Sequence, residues 1–199
     1  MSEQEVPRVA TPVTADELVE AIEAAWPDVF GEAPDRETTL LLVAQSAFED
    51  GWWRACWCFN CANAKHVDGD GCDFYFVACD EYLHGVLKTL EPPDPGCRFR
   101  AFASLVDGVR NWLRLMLRQY PKAIAAAKTH NATAYCAELK AEKFFTDELS
   151  HYTLQVIGCL AMVRKILAAV RPPPLAPNPD GERLLQLAAD VDAGKEGLP

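Results

Sequence analysis

Glu49 is the residue around which chemistry can be built. It closes an apolar run, Leu40 to Phe48, and is followed by Gly51, Trp52 and Trp53, then by a polar stretch with Asn60, Asn63 and Lys65. A carboxylic acid that stays protonated near neutral pH can donate to a leaving oxygen, as cleavage of a glycosidic bond requires. Phe48 and Trp52 flank Glu49 and would partly desolvate it, and low dielectric disfavours the charged form. Gln45 stands one turn earlier on the same helical face, within reach of that carboxyl or of a sugar. Trp53, Phe59 and Tyr75 read either as platforms for pyranose rings or as core aromatics. Asn60, Asn63 and Lys65 read either as hydrogen-bonding partners of a substrate or as residues that hold a loop. Asp50, beside Glu49, reads as a surface acid.

These residues need a frame. Thr14 and Glu17 have capping-box spacing, and Leu18, Val19, Ile22 and Trp26 recur at helical intervals, which predicts a helix over 15–26 ended by Pro27. Asp35 can cap a second helix from Arg36 to Asp50, with an apolar stripe wide enough to be largely buried and Gly51 as its stop. Between Trp52 and Phe99 helical periodicity vanishes, glycines and prolines punctuate short apolar runs, and Phe74–Ala78 and Arg98–Phe102 read as strands of a small antiparallel sheet. Helices resume behind Ser104 with Asp107, Pro121, Asn131 and Thr146, the last running to near Val170. Residues 1–13 read as a polar arm and 14–170 as one domain. Residues 171–199 read as a Pro-rich linker with a short amphipathic helix over Glu182–Val191, a solvated tail or a docking peptide.

The chain has 199 residues, half of them hydrophobic, and a formal net charge of −10. One sizeable core fits that length, and an acidic chain without a basic cluster argues against nucleic-acid binding. No apolar run approaches a bilayer span, so membrane insertion is not expected, and the N-terminus shows no secretory leader. Synthesis in the cytoplasm is therefore expected, with delivery by another route if the substrate lies outside. Six of the eight cysteines fall between Cys56 and Cys97, in a spacing that matches no standard zinc ribbon. Buried thiols are the first reading, with disulfides or zinc as alternatives. The four histidines show no metalloprotease spacing, and a Cys/His peptidase is a remote further reading.

Several fragments, in order, resemble a known family. Gln45, Glu49, Gly51 and Trp52 stand as A-Q-x-x-x-E-x-G-W, followed by Asn60, Asn63 and Lys65; Asp80-Glu81-Tyr82 precede Gly85; Phe99, Arg100 and Phe102 lead to Ser104; and Phe145-Thr146-Asp147 precede Tyr152. This series is similar to the bacterial peptidoglycan N-acetylglucosaminidases related to the flagellar muramidase, over about residues 14–170. Cys79 stands where that family has threonine, and two extra residues precede Tyr152. The resemblance implies a mostly helical α+β, lysozyme-like domain with a small antiparallel β insert. It further implies hydrolysis of β-1,4 bonds in peptidoglycan glycan strands, with Glu49 as general acid. Glu81 would be the second carboxylate, with Asp80 the next choice, unless the sugar's own acetamido group assists. Tyr152, chosen over Tyr75 or Tyr135, would position the acid or the N-acetyl group. A muramidase or lytic transglycosylase on the same scaffold is the alternative within the class, and a non-catalytic wall-binding or cysteine-based metal-binding module the alternative outside it. No cofactor or metal is expected. A phage lysis enzyme or an injected antibacterial effector would reach the wall or periplasm without a leader, with a delivery apparatus or an immunity protein as further partners.

Overall fold

The computed structural model describes residues 3–54, 56–83 and 86–170, except for the side chains of 81–83 and 170. It divides the chain into two units, Met1–Leu167 and Ala168–Pro199. Only the first three residues of the second are described, so the Pro-rich linker and the Glu182–Val191 helix lie outside the described residues.

Among the described residues, six α-helices and four short strands make the α+β fold: α1 (Ala15–Phe30), α2 (Arg36–Glu49), β1 (Asp73–Phe76), β2 (Cys79–Leu83), β3 (Val86–Leu90), β4 (Arg98–Ala101), α3 (Leu105–Gln119), α4 (Pro121–Ala127), α5 (Ala132–Ala141) and α6 (Leu149–Val170). Local chemistry explains the helix starts. Thr14 and Glu17 form the reciprocal capping box, and the side chains of Asp35, Ser104 and Asn131 each accept a first-turn N–H. Pro27 does not end α1 as expected. The helix runs one turn further, to the left-handed Gly31, whose N–H closes onto the Pro27 carbonyl. Trp26 stacks on Phe30 at 4.0 Å, packing that offsets the hydrogen bond proline cannot make.

α2 lies at the centre of the helical core. Every residue from Thr38 to Ala47 is buried, and its polar side chains are satisfied inside. Thr38 donates to Asp35 and to the Ala127 carbonyl, Thr39 to the Asp35 carbonyl, and Ser46 to the Cys61 carbonyl. α6 buries Tyr152, Val156, Leu160, Val163 and Leu167 at helical spacing against this core. Contrary to the sequence expectation, Leu149–Ala169 is long and apolar enough to cross a bilayer by length and composition, with a mean hydropathy of 1.4. One stripe of α6 packs on the core, while only 28% of this stretch is buried and Leu154, Ile157, Met162 and Ile166 are exposed.

The β region is two small sheets. β1 pairs antiparallel with β4 (Asp73 opposite Ala101), and β2 with β3 (Cys79 opposite Leu90). The first pair is the expected one; the β2–β3 hairpin had no alternating pattern to announce it. Residues 3–13 are no free arm. Glu5 bridges Phe74 and Ala10 bridges Trp57, while Thr11 donates from backbone and side chain to the Cys56 carbonyl. Glu3 accepts from the amides of Gly69 and Gly71. A second small core of Cys58, Tyr75 and Phe99 lies under this region.

Candidate active site

The end of α2 is built to present one carboxyl. Glu49 is the last helical residue, Asp50 is the cap, and Gly51 follows at φ 53°. The Trp52 N–H donates to the Ala47 carbonyl (2.8 Å) and the Gly51 N–H to the Phe48 carbonyl (3.4 Å). This paired closure needs a left-handed residue directly after the cap, which glycine adopts without a Cβ clash. The spacing Glu-x-Gly-Trp is thus a helix stop placed two residues behind the acid.

Four side chains form a directed hydrogen-bond chain ending on that acid. The Tyr135 hydroxyl donates to Gln45 Oε1, Gln45 Nε2 donates to the Tyr152 hydroxyl (3.5 Å), and Tyr152 donates to Glu49 Oε1 (2.6 Å). Tyr135, Gln45 and Tyr152 are buried. Tyr152 is fixed by a parallel stack on Phe145 (3.6 Å, 3°) and an edge contact with Phe48 (5.2 Å, 81°). Burial, then the neighbouring Glu49, pushes the Tyr152 hydroxyl far above its ordinary range, so it is always a donor.

Burial of the Glu49 carboxyl raises its pKa above the ordinary glutamate value, and the Tyr152 bond opposes this. The residue as a whole is solvent-exposed, so the packed-in carboxyl keeps an open side. The negative end of the α2 dipole acts with burial against the carboxylate form. Because Oε1 accepts from Tyr152, a protonated Glu49 carries its hydrogen on Oε2. It is then a proton donor with a fixed partner behind it.

Gln45, Glu49 and Asn63 line a pocket of about 90 Å³, together with Ser46, Cys61, Ala62, Trp112, Leu115 and Phe144. The α3 contribution, Trp112 and Leu115, was not among the sequence candidates, and Trp112 also belongs to the buried core. Tyr135 stood in the sequence merely as an alternative to Tyr152.

Asp50 corrects the expectation of a surface acid. It is 4 % exposed, with Oδ1 accepting from Asn63 (2.6 Å) and Oδ2 meeting no hydrogen-bond partner among the described residues. Burial first, then Cys56 and Glu49, pushes its pKa up to about 8. Asn63 therefore meets the acid pair through Asp50, from a left-handed backbone position.

Other sequence candidates are placed differently. Trp53 is buried and donates to Ser46 Oγ (3.0 Å). Asn60 is buried and closes the loop, donating to the carbonyls of Ala64 and Arg100 and accepting from the Ala64 N–H. Tyr75 is 1 % exposed in the second core, stacked on Phe99. Each takes the packing role the sequence left open, with no face for a sugar. Lys65 Nζ donates to the Gly96 carbonyl (2.8 Å) and to Cys79 Sγ over the Phe99 ring. Trp52 is half-buried, edge-on to Trp53. Glu81 lies on β2 opposite Lys88; its side chain lies outside the described parts.

No disulfide joins any two cysteines among the described residues. Cys56 and Cys61 hydrogen-bond to each other, which lowers the Cys56 pKa and raises that of Cys61. Among the described residues, Glu3, His66 and Asp68 form one group with ligand-type atoms within 4.8 Å of one another, with no cysteine in it.

No family profile matches the sequence. Among solved structures, the chain is similar to a peptidoglycan hydrolase from Sphingomonas sp. A1, at 18% identity and a TM-score of 0.52, covering 80% of this chain and 99% of that one. It is also similar to the glycoside hydrolase domain from Salmonella typhimurium FlgJ, at 12% identity and a TM-score of 0.52, covering 91% and 99%. A C-terminally truncated form of that domain gives 16% identity and a TM-score of 0.53 over 76% and 98%. At such identities the likeness establishes the fold, which is α+β and lysozyme-like.

Proposed function

We propose that this chain is a glycoside hydrolase that cleaves β-1,4 bonds in peptidoglycan glycan strands, with Glu49 as the general acid. The observation that carries the reading is the hydrogen bond from Tyr152 to a partly desolvated Glu49 at the mouth of a pocket. A carboxylic acid so placed donates to the glycosidic oxygen as the bond breaks toward an oxocarbenium-like state. Tyr152 holds the acid in one orientation, and Gln45 holds Tyr152. The names of the similar structures, a peptidoglycan hydrolase and a glycoside hydrolase domain, agree with this chemistry. Water activation falls to Glu81 or to the substrate acetamido group. The motif resemblance favours N-acetylglucosaminidase specificity and, with it, action on the cell wall.

The test is release of fragments from purified peptidoglycan by wild type and Glu49→Gln. Removing a general acid is expected to lower kcat by about 10²–10⁴. Equal release by both proteins would sink the role of Glu49. Borohydride reduction and mass spectrometry of the products then identify the new end. Reduced N-acetylglucosamine supports a glucosaminidase, reduced N-acetylmuramic acid a muramidase, and an anhydro sugar a transglycosylase.

A further inference from the structure

A second hollow, about 190 Å³, lies beside the Glu49 pocket and is lined by Arg100, Asn111, Arg114, Leu115 and Arg118. Leu115 is common to the walls of both, so the two meet along α3. Asn111, Arg114, Leu115 and Arg118 fall at i, i+3, i+4 and i+7, one face of that helix, and Arg100 enters from β4. Arg114 and Arg118, beside an Arg100 that is paired with Asp70, make this hollow positive in a chain that carries −10 overall.

Arg100 is held in place: its Nε donates to the Lys65 carbonyl (3.1 Å) and lies 2.8 Å from Asp70 Oδ2. Arg114 and Arg118 are exposed, and neither meets a carboxylate among the described residues. Like charges gathered in this way repel, and an anion placed between them relieves the repulsion. The planar fork of arginine suits a carboxylate, which it can bind through two parallel N–H bonds. A neutral polysaccharide offers no such group. The muramyl residue of peptidoglycan does, through the carboxylates of the peptide amide-linked to its lactyl group or, where the peptide has been removed, through the lactyl carboxylate itself.

We propose that the Arg100–Arg114–Arg118 hollow is an anionic subsite that receives a carboxylate borne by the muramyl residue next to the scissile bond. The inference rests on the peptidoglycan reading above and adds the part of the substrate that is recognised. It makes this chain a reader of the substituted strand rather than of its sugars alone.

Binding is measured with the full chain carrying Glu49→Gln, so that turnover does not intervene. Three soluble ligands are compared: peptide-bearing glycan strands, strands stripped of peptide by an amidase (leaving the lactyl carboxylate), and neutral chito-oligosaccharides. Arg114→Ala with Arg118→Ala is expected to weaken binding of the peptide-bearing strands by about tenfold or more and to flatten its salt dependence. The neutral oligosaccharides should be bound unchanged. If the stripped strands lose the same factor, the subsite takes either carboxylate, that of the peptide or the lactyl one freed by the amidase; if they lose nothing, it takes a peptide carboxylate alone. In the Glu49-intact protein the double substitution should raise KM and leave kcat unchanged. Equal weakening for neutral and anionic ligands, or no weakening for any, overturns the subsite while the peptidoglycan reading stands. Failure of the Glu49→Gln chain to bind any of the three overturns both.

Discussion

The helical frame and the loop from Gly51 to His66 solve opposite problems. The frame is held by local rules: caps, apolar stripes and ladders that each helix completes by itself. The loop has almost no local rule in its favour. Trp52, Trp53, Cys58, Phe59 and Asn63 all have positive φ, a conformation that costs about 1 kcal/mol or more per non-glycine residue. It persists because long-range bonds fix it: Trp53 to Ser46, Asn63 to Asp50, Asn60 to the Arg100 carbonyl, and the Phe59 N–H to Thr11 Oγ1. The frame supplies the acid, and the loop supplies the cover that keeps the neighbouring carboxyl Asp50 out of water. Strain at the site is stored where the surroundings can hold it.

The strongest way to break this division is at its joint. A Cβ on Gly108, in the first turn of α3, would stand 2.0 Å from the Phe59 carbonyl oxygen and 3.3 Å from the Phe102 ring. The first neighbour is backbone and cannot rotate away. Gly108→Val should lower stability by about 3 kcal/mol, read as a shift of the urea midpoint. A valine tolerated without loss would mean that α3 does not press on the loop.

A second effect uses pH. Unfolded, Asp50 titrates near the ordinary value of about 3.9; folded, it is pushed up to about 8. The folded chain holds this proton more tightly, so the contribution of Asp50 is full below about pH 4. It is lost as pH rises towards about 8, and the raised Glu49 adds a change of the same sign. Asp50→Asn keeps the acceptor for Asn63 and removes the titration. Urea titrations at pH 5 and pH 8.5 should show wild type losing more stability than the variant. An identical fall in both would place the ionised carboxylate in contact with water.

How far the sequence reached follows the same division. α2 was legible to within one residue because Asp35 and Gly51 mark its ends and everything between is apolar or satisfiable. Ser104 and Asn131 marked α3 and α5 equally well. Glu49 and Tyr152 were chosen from motifs, and they lie in hydrogen-bond contact. The burial of Asp50 was not legible, since the residue is covered by Asn63 and Cys56, which no periodic rule brings to it. The tethering of residues 3–13 was hidden for a related reason. Its bonds run through backbone amides and through the sulfur of Cys58, which accepts from the Val9 N–H and donates to the Pro7 carbonyl. Cys58 is thus a small buried group beneath that strap, and Cys56 meets Thr11 through its sulfur.

A smaller effect sharpens the acid's side of the comparison. Tyr152→Phe leaves the stack on Phe145 intact and removes the O–H from Glu49 Oε1. That bond lowers the Glu49 pKa, so its loss should raise it. A general acid works while protonated, and activity falls as pH rises through its pKa. The alkaline limb of the pH–rate profile should therefore move to higher pH, with activity at its optimum about tenfold lower as the acid loses its orientation. A shift of that limb to lower pH would contradict the direction of the bond.

The smallest effect concerns the loop's outer support. Thr11 Oγ1 accepts from the Phe59 N–H at 2.9 Å and donates to the Cys56 carbonyl at 3.3 Å. Valine matches its shape but can do neither, and it leaves a half-buried N–H at a left-handed residue without that partner. Such a loss costs about 1–2 kcal/mol. Thr11→Val should lower the melting temperature by a few degrees, and it should speed amide exchange at Phe59 more than within α2. If exchange rises equally in both, the strap, the loop and the frame open together. If it rises only at Phe59, the loop is a separately held layer over the acid, which the helical frame supports but does not by itself keep closed.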